Sequence, residues 1–249
     1  MAKHELLNNV HHKDLRIVTK KKAEYGDNVN GSLILPAEFI DASKEYPIYF
    51  QKNAETGAFQ VVVIFGFKQD ENLFLGENGW EGEYIPALIR REPFLIGFQT
   101  EKGTEKKTPM IHIDMDSPRI SRDGQGERVF LENGGNSPYL EEISKLLSMI
   151  NDGIPASKAM IDVFLKYELI EQFTLDITFN DGTQYKTNSF YTIHQEKLLA
   201  LDDATIGQLH RGGYLQLAYI VLESLRNIKR LISRQNERIA TSVIKDRNV

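Results

Sequence analysis

Hydrophobic and polar positions follow a mainly strand-like pattern in the first half of the chain and a mainly helical period in the second. Residues 47–67 contain two β-rich runs around the turn-like cluster 53–57, "NAETG", which predicts a hairpin. The run from Val61 to Phe67 is almost wholly apolar, so we expect both of its faces to be buried. Short helices are predicted within 35–47 and 84–94, each bounded by proline, and a strand follows over "FLIGFQ".

After residue 136 the apolar positions recur with a helical period. Ser137 and Pro138 suit a helix start, and "NDGIP" at 151–155 predicts a break before a second helix over 156–169. Residues 173–193 predict another hairpin, because Asn-Asp-Gly separates two alternating runs. A long last helix is predicted from Gly213 to about Arg234, with residues 236–249 frayed.

This order of elements predicts an α+β fold. We expect antiparallel strands with helices, the C-terminal half being mainly helical around one hairpin. The length favours a single domain over 1–249, with a mainly β part at 33–131 and a mainly α part with a hairpin at 137–235.

Composition removes several classes of function. The formal net charge of -5 disfavours a broadly basic nucleic-acid-binding protein, so no nucleic-acid partner is expected. The chain has no cysteine, which excludes disulfides, thiolate metal sites and a cysteine nucleophile. The sequence also lacks phosphate-binding glycine loops and a G-x-S-x-G elbow.

The N-terminal stretch "MAKHELLNNVHHKDLRI" contains no continuous apolar segment of the kind that signal peptides carry. The most apolar long stretch, near residue 220, is interrupted by Glu223, Arg226, Lys229 and Arg230, so no membrane span is expected. A cytoplasmic location is therefore the default, and export without a signal remains open.

The stretch "TPMIHIDMDSPRIS" at 108–121 poses the question of catalysis. His112 and Asp114 stand two positions apart on a predicted strand and so share one face, as two ligands of an Fe(II) facial triad would. His194 or His210 would have to supply the third ligand. The alternative, which we favour, is a strand with one polar face that ends in a turn. No metal and no cofactor is expected, and no catalytic residue is assigned.

Four other residues are candidates for binding a partner or an anion. Arg90 and Arg91 in "IRREPF" could clamp a carboxylate, or they could form ordinary ion pairs with nearby glutamates. Trp80 and Tyr84, in a turn-rich stretch, could anchor a peptide or a sugar, or they could close the edge of the core.

The chain resembles the SapC family of bacterial proteins over almost its whole length. The order and spacing of five stretches carry the resemblance, and "EYIPALIRREPF" is the most specific piece. The stretches are "LNNVHHKDLRI", "LPAEFIDASKEYPIYF", "ENLFLGENGWEGEYIPALIRREPF", "IDMDSP" and "LHRGGYLQLAYIVLESLRNIKRLISR". At His112 the chain departs from the family pattern, in which that position is usually apolar or small.

The resemblance implies a role near the cell surface. The family is named for a surface-array gene cluster whose founding member is linked to an S-layer, and relatives are often encoded beside flavin-dependent tryptophan-halogenase-like proteins and TonB-dependent receptors. Many relatives are labelled peptide ABC transporter permeases. Because no membrane span is predicted in this chain, its sequence contradicts that label. We therefore expect a non-catalytic accessory protein that docks a protein or peptide partner, such as a halogenase-like protein or an outer-membrane receptor system. The alternatives are a metal-dependent oxygenase or peptide-modifying enzyme, and a structural S-layer component.

Overall fold

The computed structural model of the protein describes residues 3–100 and 107–247. In this part of the chain the strands are β1 (His4–Leu6), β2 (Arg16–Ile17), β3 (Gly31–Leu33), β4 (Ile48–Lys52), β5 (Phe59–Ile64), β6 (Leu75–Gly76), β7 (Gly79–Trp80), β8 (Phe94–Thr100), β9 (Lys107–Asp114), β10 (Glu127–Arg128), β11 (Ile170–Gln172), β12 (Leu175–Thr178), β13 (Gln184–Thr187) and β14 (Phe190–Ile193).

The same residues form helices of very different length. The α-helices are α1 (Phe39–Ala42), α2 (Ala87–Arg90), α3 (Pro138–Lys166), α4 (Gln195–Leu199), α5 (Asp203–Arg211), α6 (Tyr214–Ser224) and α7 (Ile228–Arg247). Short 3-10 helices lie at Ala23–Tyr25, Pro36–Glu38 and Leu225–Asn227. Helices and antiparallel sheets occur together, and the C-terminal region is largely helical, which confirms the predicted α+β class.

The larger sheet has five strands in the order β11-β14-β4-β5-β3, and each neighbouring pair is antiparallel. The predicted hairpin at 47–67 is confirmed as β4 and β5, paired from Ile48 with Val63 to Lys52 with Phe59. Burial of the run from Val61 to Phe67 is also confirmed. A second sheet has the order β1-β9-β8, and three two-stranded ladders join β2 with β10, β6 with β7, and β12 with β13.

The predicted hairpin at 173–193 is only partly correct. β12 and β13 pair around a turn in which Gly182 has a φ of 84°. The segment after β13 leaves this ladder, and β14 pairs with β11 and β4 in the five-stranded sheet. The reason is burial, because Phe190 and Ile193 are 6% and 1% exposed and need a larger core than an isolated ladder provides.

The break predicted at "NDGIP" is wrong, because α3 continues through these residues for 29 residues in total. Ser137 caps it as expected, its Oγ accepting the Leu140 N–H at 3.1 Å. Proline inside a helix removes a hydrogen bond, but tertiary packing on both sides of Pro155 outweighs that cost. Gly153 permits this packing, because a Cβ there would lie 2.6 Å from Cδ1 of Leu35.

The predicted end of the last helix near Arg234 is also wrong. The helical segment tightens into a 3-10 turn after Ser224 and then continues as α7 to Arg247. Two buried side chains hold this turn. Ser224 Oγ accepts the Ile48 N–H at 2.9 Å, and Asn227 Nδ2 donates to the Ser43 carbonyl at 2.6 Å. Residues 248 and 249 of the predicted frayed end lie outside the described residues.

The buried apolar side chains form two clusters, and α3 contributes to both. Its first half, from Leu140 to Ile150, packs with Phe94 and Ile113 of the three-stranded sheet. Its second half, including Met160 and Phe164, packs on the five-stranded sheet. At a rise of 1.5 Å per residue, α3 is about 43 Å long and can span both clusters.

We predict that Gly153→Val lowers the free energy of unfolding by about 2 kcal/mol, because the added atoms overpack the contact with Leu35. Gly207→Val in α5 is the matched control. A Cβ at Gly207 meets only the flexible end of Arg211, at 3.3 Å, so its effect should stay within about 0.5 kcal/mol. Urea unfolding of both variants is the measurement, and equal losses would contradict the proposed packing role of Gly153.

Candidate functional site

The segment 83–94, "EYIPALIRREPF", is organised by a buried carboxylate. Glu38 is 2% exposed, and its Oε2 accepts the Leu35 N–H at 2.9 Å. Its Oε1 accepts the Tyr84 hydroxyl and the Ala87 N–H, each at 2.8 Å. Burial and the neighbouring Glu38 raise the pKa of Tyr84, so its phenol remains a donor. Glu38 thereby fixes the first residue of α2.

Arg90 and Arg91, at the end of α2, have different surroundings. Arg90 is exposed. Arg91 is half-buried and donates from Nη1 to the Phe94 carbonyl at 2.6 Å, while its Nη2 lies 3.1 Å from Oε1 of Glu92. Trp80 is also half-buried. Its Nε1 donates to Tyr46 Oη at 3.0 Å, and its ring meets the Phe65 ring edge-on, with 5.1 Å between the ring centroids.

A polar cavity of about 380 Å³ opens beside α2 and brings together two of the four predicted residues. Arg90 and Tyr84 both line it, whereas Trp80 and Arg91 are not among the described residues that do so. We use the term polar cavity for the space bounded by Lys21, Tyr84, Arg90, Glu92, Arg119 and Tyr139. Whether these residues bind a partner remains a prediction.

Two cations at the wall of the polar cavity share one buried carboxylate. The side chains of Lys21, Asp27 and Arg119 are 11%, 3% and 2% exposed. Lys21 Nζ lies 3.4 Å from Asp27 Oδ1, and Arg119 Nη2 donates to the same oxygen. Burial and the nearby Arg119 lower the pKa of Lys21 to about 8, although Asp27 opposes the shift. The cluster thus carries one excess positive charge when Lys21 is protonated.

An apolar groove of about 520 Å³ lies on the other side of α2, between α3 and the edge of the five-stranded sheet. We define it by Leu33, Leu35, Phe59, Leu88, Ile154 and Leu165. Three of these are unusually exposed for their type, namely Ile154 at 61%, Leu165 at 44% and Leu33 at 39%. Ser157 also lines the groove, and its Oγ is buried without a hydrogen-bond partner in the described part of the chain.

His112 and Asp114 lie on β9, the central strand of the three-stranded sheet, but they do not meet a third ligand. His112 covers Gly97 of β8, where a Cβ would lie 2.4 Å from its Cδ2, and Asp114 Oδ1 accepts the Asp116 N–H at 3.0 Å. His194 instead caps α4. Within residues 3–100 and 107–247, no group of three histidine or acidic side chains is placed to hold a metal.

No sequence pattern singles out the charged cluster or the groove. Asp27 and Arg119 are 92 positions apart, in stretches interpreted as a loop and a turn. Lys21 and Asp27 lie in a polar segment in which no helix or strand is predicted, so nothing there indicates a buried cluster. The groove depends on the continuity of α3 past Gly153, which was predicted wrongly.

We predict that Asp27→Asn lowers the free energy of unfolding by about 3 kcal/mol, because it leaves Lys21 and Arg119 buried together without an anion. Asp176→Asn is the matched control. It breaks the 2.8 Å ion pair between Asp176 and Lys186, whose side chains are 52% and 69% exposed. It should lower the free energy of unfolding by less than about 1 kcal/mol. Urea denaturation at pH 7 compares the two, and similar losses would refute the special position of Asp27.

Comparison with known proteins gives one family. None of the helices in the described part of the chain combines the length and apolar character that crossing a bilayer requires. No curated protein and no solved structure matches the sequence. The family model named SapC matches residues 7–231, which include both the polar cavity and the apolar groove. The chain therefore belongs to the SapC family.

Proposed function

We propose that this protein is a non-catalytic accessory protein that docks an extended peptide segment of a protein partner. The apolar groove is the observation that carries the proposal. Its exposed leucine and isoleucine side chains form a contiguous concave surface, whereas single exposed apolar residues would need no explanation.

The edge strand beside the groove favours an extended ligand. β3 pairs only with β5 in the described part of the chain, so its other edge has no strand partner there. Leu33, at the end of β3, also lines the groove. A peptide added along β3 would gain main-chain hydrogen bonds and place alternate side chains against α3.

Ser157 adds a polar requirement within this apolar surface. Its buried Oγ lacks a partner in the described residues, and an unpaired buried hydroxyl costs about 1–3 kcal/mol. A carbonyl or amide of a docked peptide would satisfy it once the Ser157 side chain rotates toward the groove. A purely apolar ligand would not.

The cellular context rests on family membership. The surface-array origin of the family and the frequent neighbourhood of TonB-dependent receptors and halogenase-like flavin proteins support a partner in surface-layer or outer-membrane processes. Arg90, Arg91, Trp80 and Tyr84 remain candidates for additional contacts, and exposed Arg90 is the best placed for this role.

We predict that Ile154→Glu abolishes partner recovery in a native pull-down of the tagged protein, because a carboxylate in the groove would be desolvated by the docked peptide. Ile244→Glu in α7 is the matched control, since Ile244 is also a helical isoleucine exposed to 61% but is not among the groove residues. Mass spectrometry of the recovered proteins and hydrogen exchange of β3 and α3 in the complex are the measurements.

Recovery that survives Ile154→Glu, or that both variants abolish, would contradict docking in the groove. Protection of β3 and of α3 around Ser157 in the complex is the expected result. A concentration-dependent dimer of the purified protein that Ile154→Glu dissociates would replace the peptide by a second copy of the chain.

A further inference from the structure

We infer that the polar cavity is a binding site for a small organic monocarboxylate, held by Lys21 and Arg119. This site is separate from the apolar groove and does not depend on the docking of a partner there.

Charge balance is the first reason. Asp27 is the buried carboxylate that both Lys21 and Arg119 contact, and the other acceptors of Arg119 Nη1 are the neutral carbonyls of Val18 and Lys20, at 3.0 and 3.2 Å. An uncompensated charge in such a place is costly. Glu92 lines the cavity and also favours protonated Lys21, but it is paired with Arg91, so one additional anionic group would still neutralise the buried cluster.

Unused hydrogen-bond donors are the second reason. Lys21 Nζ donates to the Ile89 carbonyl at 2.9 Å and faces Asp27, but its third N–H meets no acceptor in the described part of the chain. The buried Nε of Arg119 has no partner among the described residues either. Lys21 and Arg119 both line the polar cavity, so an incoming carboxylate can reach the cluster from there.

The other walls of the cavity limit the kind of anion. Ile143 and Leu146 of α3 and the rings of Tyr84 and Tyr139 provide apolar and aromatic surface for an organic body. Glu83 and Glu142 are exposed acids that also line the cavity, and Glu92 pairs with Arg91. These acids disfavour a dianion, so a single carboxylate fits better than a phosphate. A volume of 380 Å³ equals that of about a dozen water molecules, which suits a compact ligand.

The probes are acetate, hexanoate and phenylacetate, with phenylacetamide and inorganic phosphate as comparators. We expect saturable binding of phenylacetate to the full chain in an NMR titration, and at least tenfold weaker binding of the neutral amide and of phosphate. Lys21→Met should weaken phenylacetate binding at least tenfold. It should not unfold the protein, because it removes the excess buried charge. Lys186→Met, at an exposed lysine paired with Asp176, is the matched control and should bind normally.

Binding should also depend on pH through Lys21. Its pKa of about 8 means that affinity should fall roughly tenfold between pH 7 and pH 9, and this dependence should vanish in Lys21→Met. The other charged groups around Lys21 are Asp27, Glu83, Glu92, Glu142, Arg90 and Arg119. Burial raises the pKa of Tyr84 and of Tyr139, which also line the cavity, above the ordinary value of a tyrosine.

Arg90→Gln provides a second test at an exposed position, where folding is not at risk, and should weaken phenylacetate binding severalfold. The proposal is overturned if none of the three carboxylates binds saturably, if phenylacetamide binds as well as phenylacetate, or if Lys21→Met binds normally. Ile154→Glu should leave phenylacetate binding unchanged, so failure of the groove and failure of this site give different results.

Discussion

The buried carboxylate of Glu38 is the interaction on which both candidate sites depend. It accepts hydrogen bonds from the Leu35 and Ala87 N–H groups and from the Tyr84 hydroxyl. Leu35 lines the apolar groove and Tyr84 lines the polar cavity, while α2, which starts at Ala87, separates the two spaces and contributes to each. Because every bond is made to one side chain, the positions of the groove and the cavity are coupled. A shift of Glu38 would leave buried donors unpaired and would disturb both.

The second constraint is the length of α3. It contributes apolar side chains to both buried clusters and therefore holds the two sheets in a fixed relation along its axis. The same helix supplies Leu146 to the polar cavity and Ile154 to the apolar groove. Gly153 lies between these positions, and its lack of a side chain lets Leu35 approach the helix closely. Both candidate binding surfaces thus include side chains of α3, and Leu146 belongs to a buried cluster as well as to the cavity wall.

Features determined by neighbouring residues could be predicted from the sequence, while those determined by distant contacts could not. The hairpin at 47–67 and the Ser137 cap follow from local turn and capping chemistry. The predicted break at "NDGIP" failed because two separate cores stabilise the helix across Pro155. Arg90 was found through a local motif, but the partners Asp27 and Arg119 stand 92 positions apart, and no local pattern indicates that they meet.

The apolar groove and the polar cavity would bind different ligands, because different groups in their walls are left unsatisfied. Within residues 3–100 and 107–247, nothing covers the apolar groove or pairs with the Ser157 hydroxyl, and a peptide backbone with apolar side chains can supply both. The buried cluster of Lys21, Asp27 and Arg119 beside the polar cavity carries one excess positive charge, which a peptide backbone cannot neutralise. Burying this excess charge costs stability, and an apolar residue in place of Lys21 would remove the cost. The buried ammonium therefore does not serve stability alone. Local features that reduce stability are expected at functional sites, because the ligand and not the fold then satisfies them. The charge cluster is therefore better explained by an arriving anion than by the requirements of folding.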